Sequence, residues 1–403
     1  MHAFLTNLIA ILAIAMFVAL LARRLNLPYT VGLVLVGFGI AFLRTDVEIA
    51  LTHDLIFELI LPPLLFEAAL AIHWKDLRGE MPPVLLLSTL GTIIAAAAVA
   101  AGLVFLLHWP LPSAVIFGVL IAATDPVAVI AMFKDNGVSG RVRLLVESES
   151  LFNDGMAAVL FAIALAWAEA GGAGPQTAID AATSFALIVA GGIAVGLGCG
   201  AAAILVAGRT RDHLVETALT TVAAYGSFLL AENFHVSGVL ATVAAGLLMG
   251  NLGVLREEER NVLSAKGRET VLAFWEFAAF IANSVIFPLI GLNVAIIHFA
   301  EFGAAALGLV LLVVLLGRAL TVYGLCLVFL RSRWAVPLRE QHILWWGGLR
   351  GALALALALA LPHTLPLRDD IVVAAFGVVA FSVVAQGLTM PLLLRRLGFL
   401  EKA

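Results

Sequence analysis

An all-α, polytopic membrane protein is what this sequence predicts, and three observations carry that expectation. Of 403 residues, 63% are hydrophobic and only 12% are charged, whereas soluble domains hold about 45–50% apolar and about 25% charged residues. A water-soluble chain of this length would lack the polar residues to cover its own surface. The apolar residues fall in runs close to the roughly 20 residues that a bilayer-spanning helix needs. Lysine and arginine, finally, gather in every second gap between those runs. The net charge of −4, without a basic block, excludes nucleic acid as a partner. Cys199 and Cys326 sit inside apolar runs without partner spacing, so neither a disulfide nor zinc is expected. No lysine or arginine precedes the first apolar run, so a cleavable signal peptide is not expected either.

Thirteen spans are expected, at about 3–22, 29–43, 52–72, 83–107, 111–132, 143–168, 177–207, 214–231, 235–251, 270–291, 300–330, 337–361 and 370–394. The first ends at Arg23 and Arg24, the second is short, and the third carries Pro62 and Pro63 with two glutamates. The fourth is alanine-rich, the fifth is broken by Pro126, and the sixth is the most polar. In the seventh, Gly192, Gly196 and Gly200 have the small-xxx-small spacing that lets helices approach closely. The tenth starts in an aromatic setting around Glu276, where an interfacial position is expected, and the eleventh holds Arg318, expected to snorkel towards its cytoplasmic end, with a structural ion pair as the alternative. The twelfth is interrupted by glycines, and the thirteenth runs into Arg395 and Arg396. Nineteen of the 23 basic residues lie after odd-numbered spans or in the C-terminal tail. Arg44 and Arg368 lie on the other side, and Arg318 and Arg350 fall within spans. The positive-inside rule then puts the N-terminus outside and the C-terminus inside. The charged stretch at 252–269 reads as a solvated connector. The whole chain reads as one transmembrane domain.

Spans 5 and 12 are the unusual ones. Thr124-Asp125-Pro126 lies midway along span 5, and proline both removes a backbone donor and clashes with the preceding turn. Trp346-Gly347-Gly348-Leu349-Arg350-Gly351 lies midway along span 12. Interrupted spans in matching positions of two halves point to a transporter's midplane site. They are seven apart in the order of spans, an odd offset, so they cross in opposite directions as an inverted repeat requires.

Span 6 reads Glu147-Ser148-Glu149-Ser150-Leu151-Phe152-Asn153-Asp154. At 100° per residue, Glu147, Ser150 and Asp154 share a face, with Glu149 and Asn153 beside it. Asp154 lies roughly 18 Å into the span at 1.5 Å per residue, where a carboxylate is costly unless it faces water, exchanges protons or binds a cation. A hard monovalent cation takes oxygen ligands. Asp154, Ser150, Thr124 and the carbonyls freed around Pro126 supply them. Arg350 stays protonated and needs a buried counter-ion, with Glu149 and Glu67 as candidates. Glu67 either lines the cavity or reaches the interface. The histidines lack metal spacing, and no resident cofactor is expected.

Together these motifs resemble the monovalent cation:proton antiporter-1 family, which includes NhaP-type antiporters and sodium/proton exchangers. Leu61-Pro62-Pro63 with Glu67, Phe274-Trp275-Glu276 and Ile281-Ala282-Asn283-Ser284 extend the likeness along nearly the whole chain. The resemblance implies a thirteen-helix fold with inverted repeats, two unwound helices crossing at the site, a homodimer, and a mobile core (about 83–168 and 300–394) beside a dimerisation bundle. It implies Asp154 as the cation- and proton-binding carboxylate, Thr124 and Ser150 as Na⁺ co-ligands, and Asp125 as a polar neighbour. Asn153 supports the site, Glu149 pairs with Arg350, and Glu67 lines the cation path. Regulation through a long cytoplasmic tail is not expected.

Both readings lead to one scheme. A proton or a cation neutralises Asp154, only the neutralised site crosses the barrier, and exchange follows. Asn153 beside Asp154 suggests electroneutral one-for-one exchange, since relatives with two adjacent aspartates move an extra charge. Sodium is the first expectation, in a bacterial inner (plasma) membrane. A potassium/proton antiporter of the same fold is the alternative, and a cation channel is a more distant one. An intramembrane protease using Asp125 and Asp154 as a dyad is the enzymatic rival.

Overall fold

The computed structural model describes residues 2–25, 28–43, 51–135, 137–171, 178–255, 262–297 and 299–399. Arg44 and residues 256–261 of the charged connector lie outside the described residues.

Among the described residues all regular structure is helical. The order is α1 (His2–Leu25), α2 (Tyr29–Leu43), α3 (Leu61–Ala71), α4 (Trp74–Ser88), α5 (Leu90–Leu107), α6 (Leu111–Leu120), α7 (Val127–Asp135), α8 (Arg141–Glu169) and α9 (Ala178–Ala207). It continues with α10 (His213–Asn233), α11 (Gly238–Met249), α12 (Ala265–Ile296), α13 (Phe299–Phe302), α14 (Ala304–Cys326), α15 (Leu338–Trp346), α16 (Ala352–Leu359), α17 (Arg368–Phe381) and α18 (Gly387–Arg396). Among the described residues seven helical stretches, from Trp74–Leu107 to Arg368–Arg396, are long and apolar enough to cross a bilayer unaided. Large side chains such as Phe105, Ile179, Leu205 and Val328 stay exposed on the outside of the bundle. Lipid is as apolar as leucine, so such a surface is stable in a membrane.

Local chemistry sets the helix ends. Pro62 and Pro63 occupy the first turn of α3, where a missing N–H costs nothing, and a π-helical turn at Leu55–Ile60 leads into it. Asp212, Ser237 and Ser264 cap α10, α11 and α12 by accepting from Leu214 N, Leu240 N and Gly267 N.

Two packing groups position the site. In one, α3 lies against α11, α11 against α9 and α10, and α12 along α2. The glycines of α9 are needed there: a Cβ at Gly196 would collide with the Ala241 carbonyl oxygen, and one at Gly192 would fall 2.6 Å from that of Ser237. Trp275 of α12 is buried in this group, its indole N–H donating to Thr220 Oγ1 at 2.8 Å. In the other group α5 packs between α6 and α14, while α8 packs against α4 and α6. Between the two groups, helix stops at 121–126 and again at 347–351.

Candidate functional site: the crossing of two interrupted helices

The two interruptions touch. Asp125 N donates to Leu349 O at 2.7 Å. The Asp125 carboxylate then accepts from Val127 N at 2.9 Å and from Ala352 N, the first residues of α7 and α16. One carboxylate therefore caps two helix N-termini, where the helix dipoles favour negative charge. Gly351 makes this approach possible, because a Cβ there would collide with Asp125 Oδ2.

At the C-terminal end of α6 the sign is reversed. Arg350 Nη1 donates to Ala122 O at 2.7 Å and to Ala123 O at 3.1 Å, which places a cation against carbonyls that carry partial negative charge. Asn153 Nδ2 also reaches Ala122 O at 3.1 Å, and the Ser150 hydroxyl donates to Thr124 O at 2.5 Å. The carbonyls freed by the break, expected as cation ligands, thus accept from protein donors in this conformation. Arg350 is held in turn by Ser382, whose hydroxyl accepts from Arg350 N at 3.0 Å and lies 3.1 Å from Arg350 O.

Thr124, Ser150 and Asn153 form a connected set. Thr124 Oγ1 lies 2.7 Å from Ser150 Oγ and accepts from Asn153 Nδ2 at 3.1 Å. Thr92 Oγ1 donates to Asn153 Oδ1 at 3.0 Å. Glu149, on the same side of α8, requires a correction to the expected ion pair. Its carboxylate accepts from Arg318 Nη1 and Nη2, both at 2.8 Å, and Arg318 also donates to Leu344 O at 3.0 Å. Arg318 is 5% exposed and so does not snorkel, and the partner of Glu149 is Arg318 rather than Arg350. The physical reason lies in the interruptions: the Arg350 guanidinium is taken up by the carbonyls of Ala122 and Ala123 in the break just past α6, whereas Arg318 crosses from α14 with a planar fork that matches a carboxylate.

Asp154 faces the other way, into a cavity of about 320 Å³. The residue is 8% exposed, and no described residue donates a hydrogen bond to its carboxylate. Asp125, Glu149 and Arg350 are the charged groups that act on it. Thr124, Asp125, Pro126 and Glu67 share the cavity lining with Asp154, whereas Ser150, Asn153, Glu149 and Arg350 stand behind it.

A sodium/hydrogen exchanger, transmembrane, family profile matches residues 10–396. The chain belongs to that family. The Na(+)/H(+) antiporter ApNhaP of Aphanothece halophytica is 38% identical over 404 residues, covering 98% of this chain and 75% of that protein. The Na(+)/H(+) antiporter NhaH of Halobacillus dabanensis is 35% identical over 414 residues, covering 99% of each. In fold, the sodium proton antiporter MjNhaP1 from Methanocaldococcus jannaschii at pH 8 superposes with a TM-score of 0.75 at 21% identity, over 98% of this chain and 99% of that one. Exchangers are transporters and not enzymes, so the protease reading is set aside.

Further polar residues of this exchanger-family chain line the cavity: Glu147, Glu276, Asn283, Tyr29 and Thr30. Glu147 had a sequence signal, its shared helix face with Asp154. Glu276, expected at the interface, is exposed yet still borders the cavity, because α12 runs along α2 beside it. Tyr29 gave no sequence signal; its hydroxyl lies 2.5 Å from Ser284 Oγ and its ring stacks on Phe280.

Proposed function

We propose that this integral membrane protein is a Na⁺/H⁺ antiporter in which Asp154 binds either a cation or a proton. The observation that carries this reading is the Asp154 carboxylate itself: buried, facing a cavity at the crossing of two interrupted helices, and offered no hydrogen bond by the described residues. A carboxylate so placed needs neutralising, and a proton or a small cation does it equally well. Competition for one site makes the empty, charged form costly to move and so couples the two fluxes. Thr124 borders the same cavity and lies 2.7 Å from the Ser150 hydroxyl, so these two oxygens are the proposed co-ligands of a cation at Asp154. Glu67 faces them from α3 and lines the approach. Asn153 contributes hydrogen bonds but no charge, which supports one cation per proton and electroneutral exchange.

The two packing groups supply the moving parts. α4–α8 with α14–α18 form the transport core, and α1–α3 with α9–α12 form a scaffold that pairs with a second copy as a homodimer. The core slides against the scaffold in elevator fashion and exposes Asp154 alternately to the two sides. Thirteen spans, an outside N-terminus and a cytoplasmic C-terminus in a bacterial inner membrane agree with the lysine and arginine distribution. K⁺ in place of Na⁺ would use the same oxygens.

Proton flux in vesicles, driven in turn by Na⁺, Li⁺ and K⁺, tests the assignment. Asp154→Asn is expected to abolish the flux while the protein still purifies as a folded, monodisperse species. Retained cation-dependent flux in that variant would remove Asp154 from its role, and a response to K⁺ alone would replace sodium as the substrate.

A further inference from the structure

A second, larger cavity of about 720 Å³ lies beside the first. The end of α3, the start of α4 and the first turns of α8 line it, with Lys75, Asp76, Glu80, Arg141 and Arg143 among its residues. Among the described residues, Glu147 is the one that lines both cavities. Along α8, Arg143 faces the larger cavity, Glu147 both, and Leu151 and Asp154 the smaller. These positions fall at i, i+4, i+8 and i+11, so they form a single ridge of the helix. Glu147 stands two turns from Asp154, about 10 Å along the axis at 1.5 Å per residue.

The charges beside Glu147 differ in how firmly they are held. Arg141 is fixed by two hydrogen bonds to Glu80, at 2.8 and 2.9 Å, and by the carbonyls of Ala335 and Trp334. Arg143 meets Glu147 at 3.6 Å, and its side chain is 29% exposed. A long, partly exposed pair of this kind is weak and can yield to a competing cation.

We infer that Glu147 is an intermediate binding residue for the transported cation, passing it between the larger cavity and Asp154, with Arg143 as the counter-charge that the cation displaces. The inference rests on the antiport reading above. A cation that has entered the larger cavity, which Asp76 and Glu80 also line, passes by way of Glu147 along one helix face to Asp154. Arg143 holds Glu147 neutralised between passages and opposes occupancy by the cation. The larger cavity belongs to the side rich in lysine and arginine, the cytoplasmic side, so the effect is confined to that face.

Na⁺ titrations of proton flux in everted and in right-side-out vesicles from an antiporter-deficient bacterium test this. With Na⁺ on the cytoplasmic face, Glu147→Gln is expected to raise the half-saturating concentration about fivefold, a change of about 1 kcal/mol in binding, and to leave the maximal rate nearly unchanged. Arg143→Gln is expected to lower that concentration on the same face. With Na⁺ on the opposite face neither variant shifts it. No shift, or equal shifts on both faces, would overturn the inference. If Glu147→Gln fails to fold, Arg143→Gln, at a partly exposed position, decides the matter alone. A wild type without cation-dependent flux would overturn the antiport reading first, before either variant is measured.

Discussion

Glu149 and Arg318 share two hydrogen bonds of 2.8 Å in a place that water does not reach, and their side chains are 3% and 6% exposed. Removing one partner strands the other as a buried charge, at about 3–5 kcal/mol. Arg318→Gln should therefore lower the thermal midpoint in detergent sharply, and Glu149→Gln in the same chain should recover much of the loss. A double variant no more stable than Arg318→Gln alone would contradict the pairing. The two ends of this pair were unequally legible in the sequence. Glu149, Asp154 and Thr124 announced themselves because acids and hydroxyls at mid-span are expensive and need a reason. Which arginine met which carboxylate was not legible, since Arg318 and Arg350 both lie within spans and linear spacing says nothing about where a guanidinium turns. The orphan carbonyls of Ala122 and Ala123, visible only once α6 ends, decide it.

At the level of elements, the interruptions at 121–126 and 347–351 act as one unit. Each break exposes the donors of one half-helix and the acceptors of another. Asp125 meets two sets of donors, and Arg350 meets the acceptors at the end of α6. Ser382, 1% exposed, holds the Arg350 backbone from the π-helical turn Ser382–Gln386. Ser382→Ala should leave the Arg350 N–H without its acceptor, cost about 1–3 kcal/mol, and slow transport without abolishing it. The thermal midpoint and the maximal rate of proton flux measure the two effects, and an unchanged midpoint would show that the break holds itself open. Pro126 and the glycines at 347, 348 and 351 made both interruptions legible, because these residue types disfavour continuous helix. The turn at 382–386 was not, since Ser-Val-Val-Ala-Gln has no breaker residue. Likewise, counting apolar residues starts a span near 83, whereas helix begins at Trp74: Lys75, Asp76, Arg78 and Glu80 hide that first stretch from a hydropathy count.

At the scale of the whole molecule, the few charges divide into two populations. Most lie in the gaps between apolar runs and bear on orientation. A small set sits within the bundle, and its members act differently. Asp125 and Arg350 hold the helix ends, Glu149 holds Arg318, Glu67 and Glu147 line the cavity, and Asp154 faces that cavity without a hydrogen bond from the described residues. That division makes the exchange obligatory in the proposed scheme, because each of the other charges in this set has a protein partner or borders the approach. In the proposed scheme one proton and one Na⁺ compete for Asp154. The half-saturating Na⁺ concentration for exchange in proteoliposomes, measured against pH, tests it most directly. On the acid side, where protons fill the carboxylate, that concentration should rise about tenfold for each unit of falling pH, one proton per site, with the maximal rate little changed. A half-saturation that ignores pH, or that rises about a hundredfold per unit as two protons would require, would contradict it.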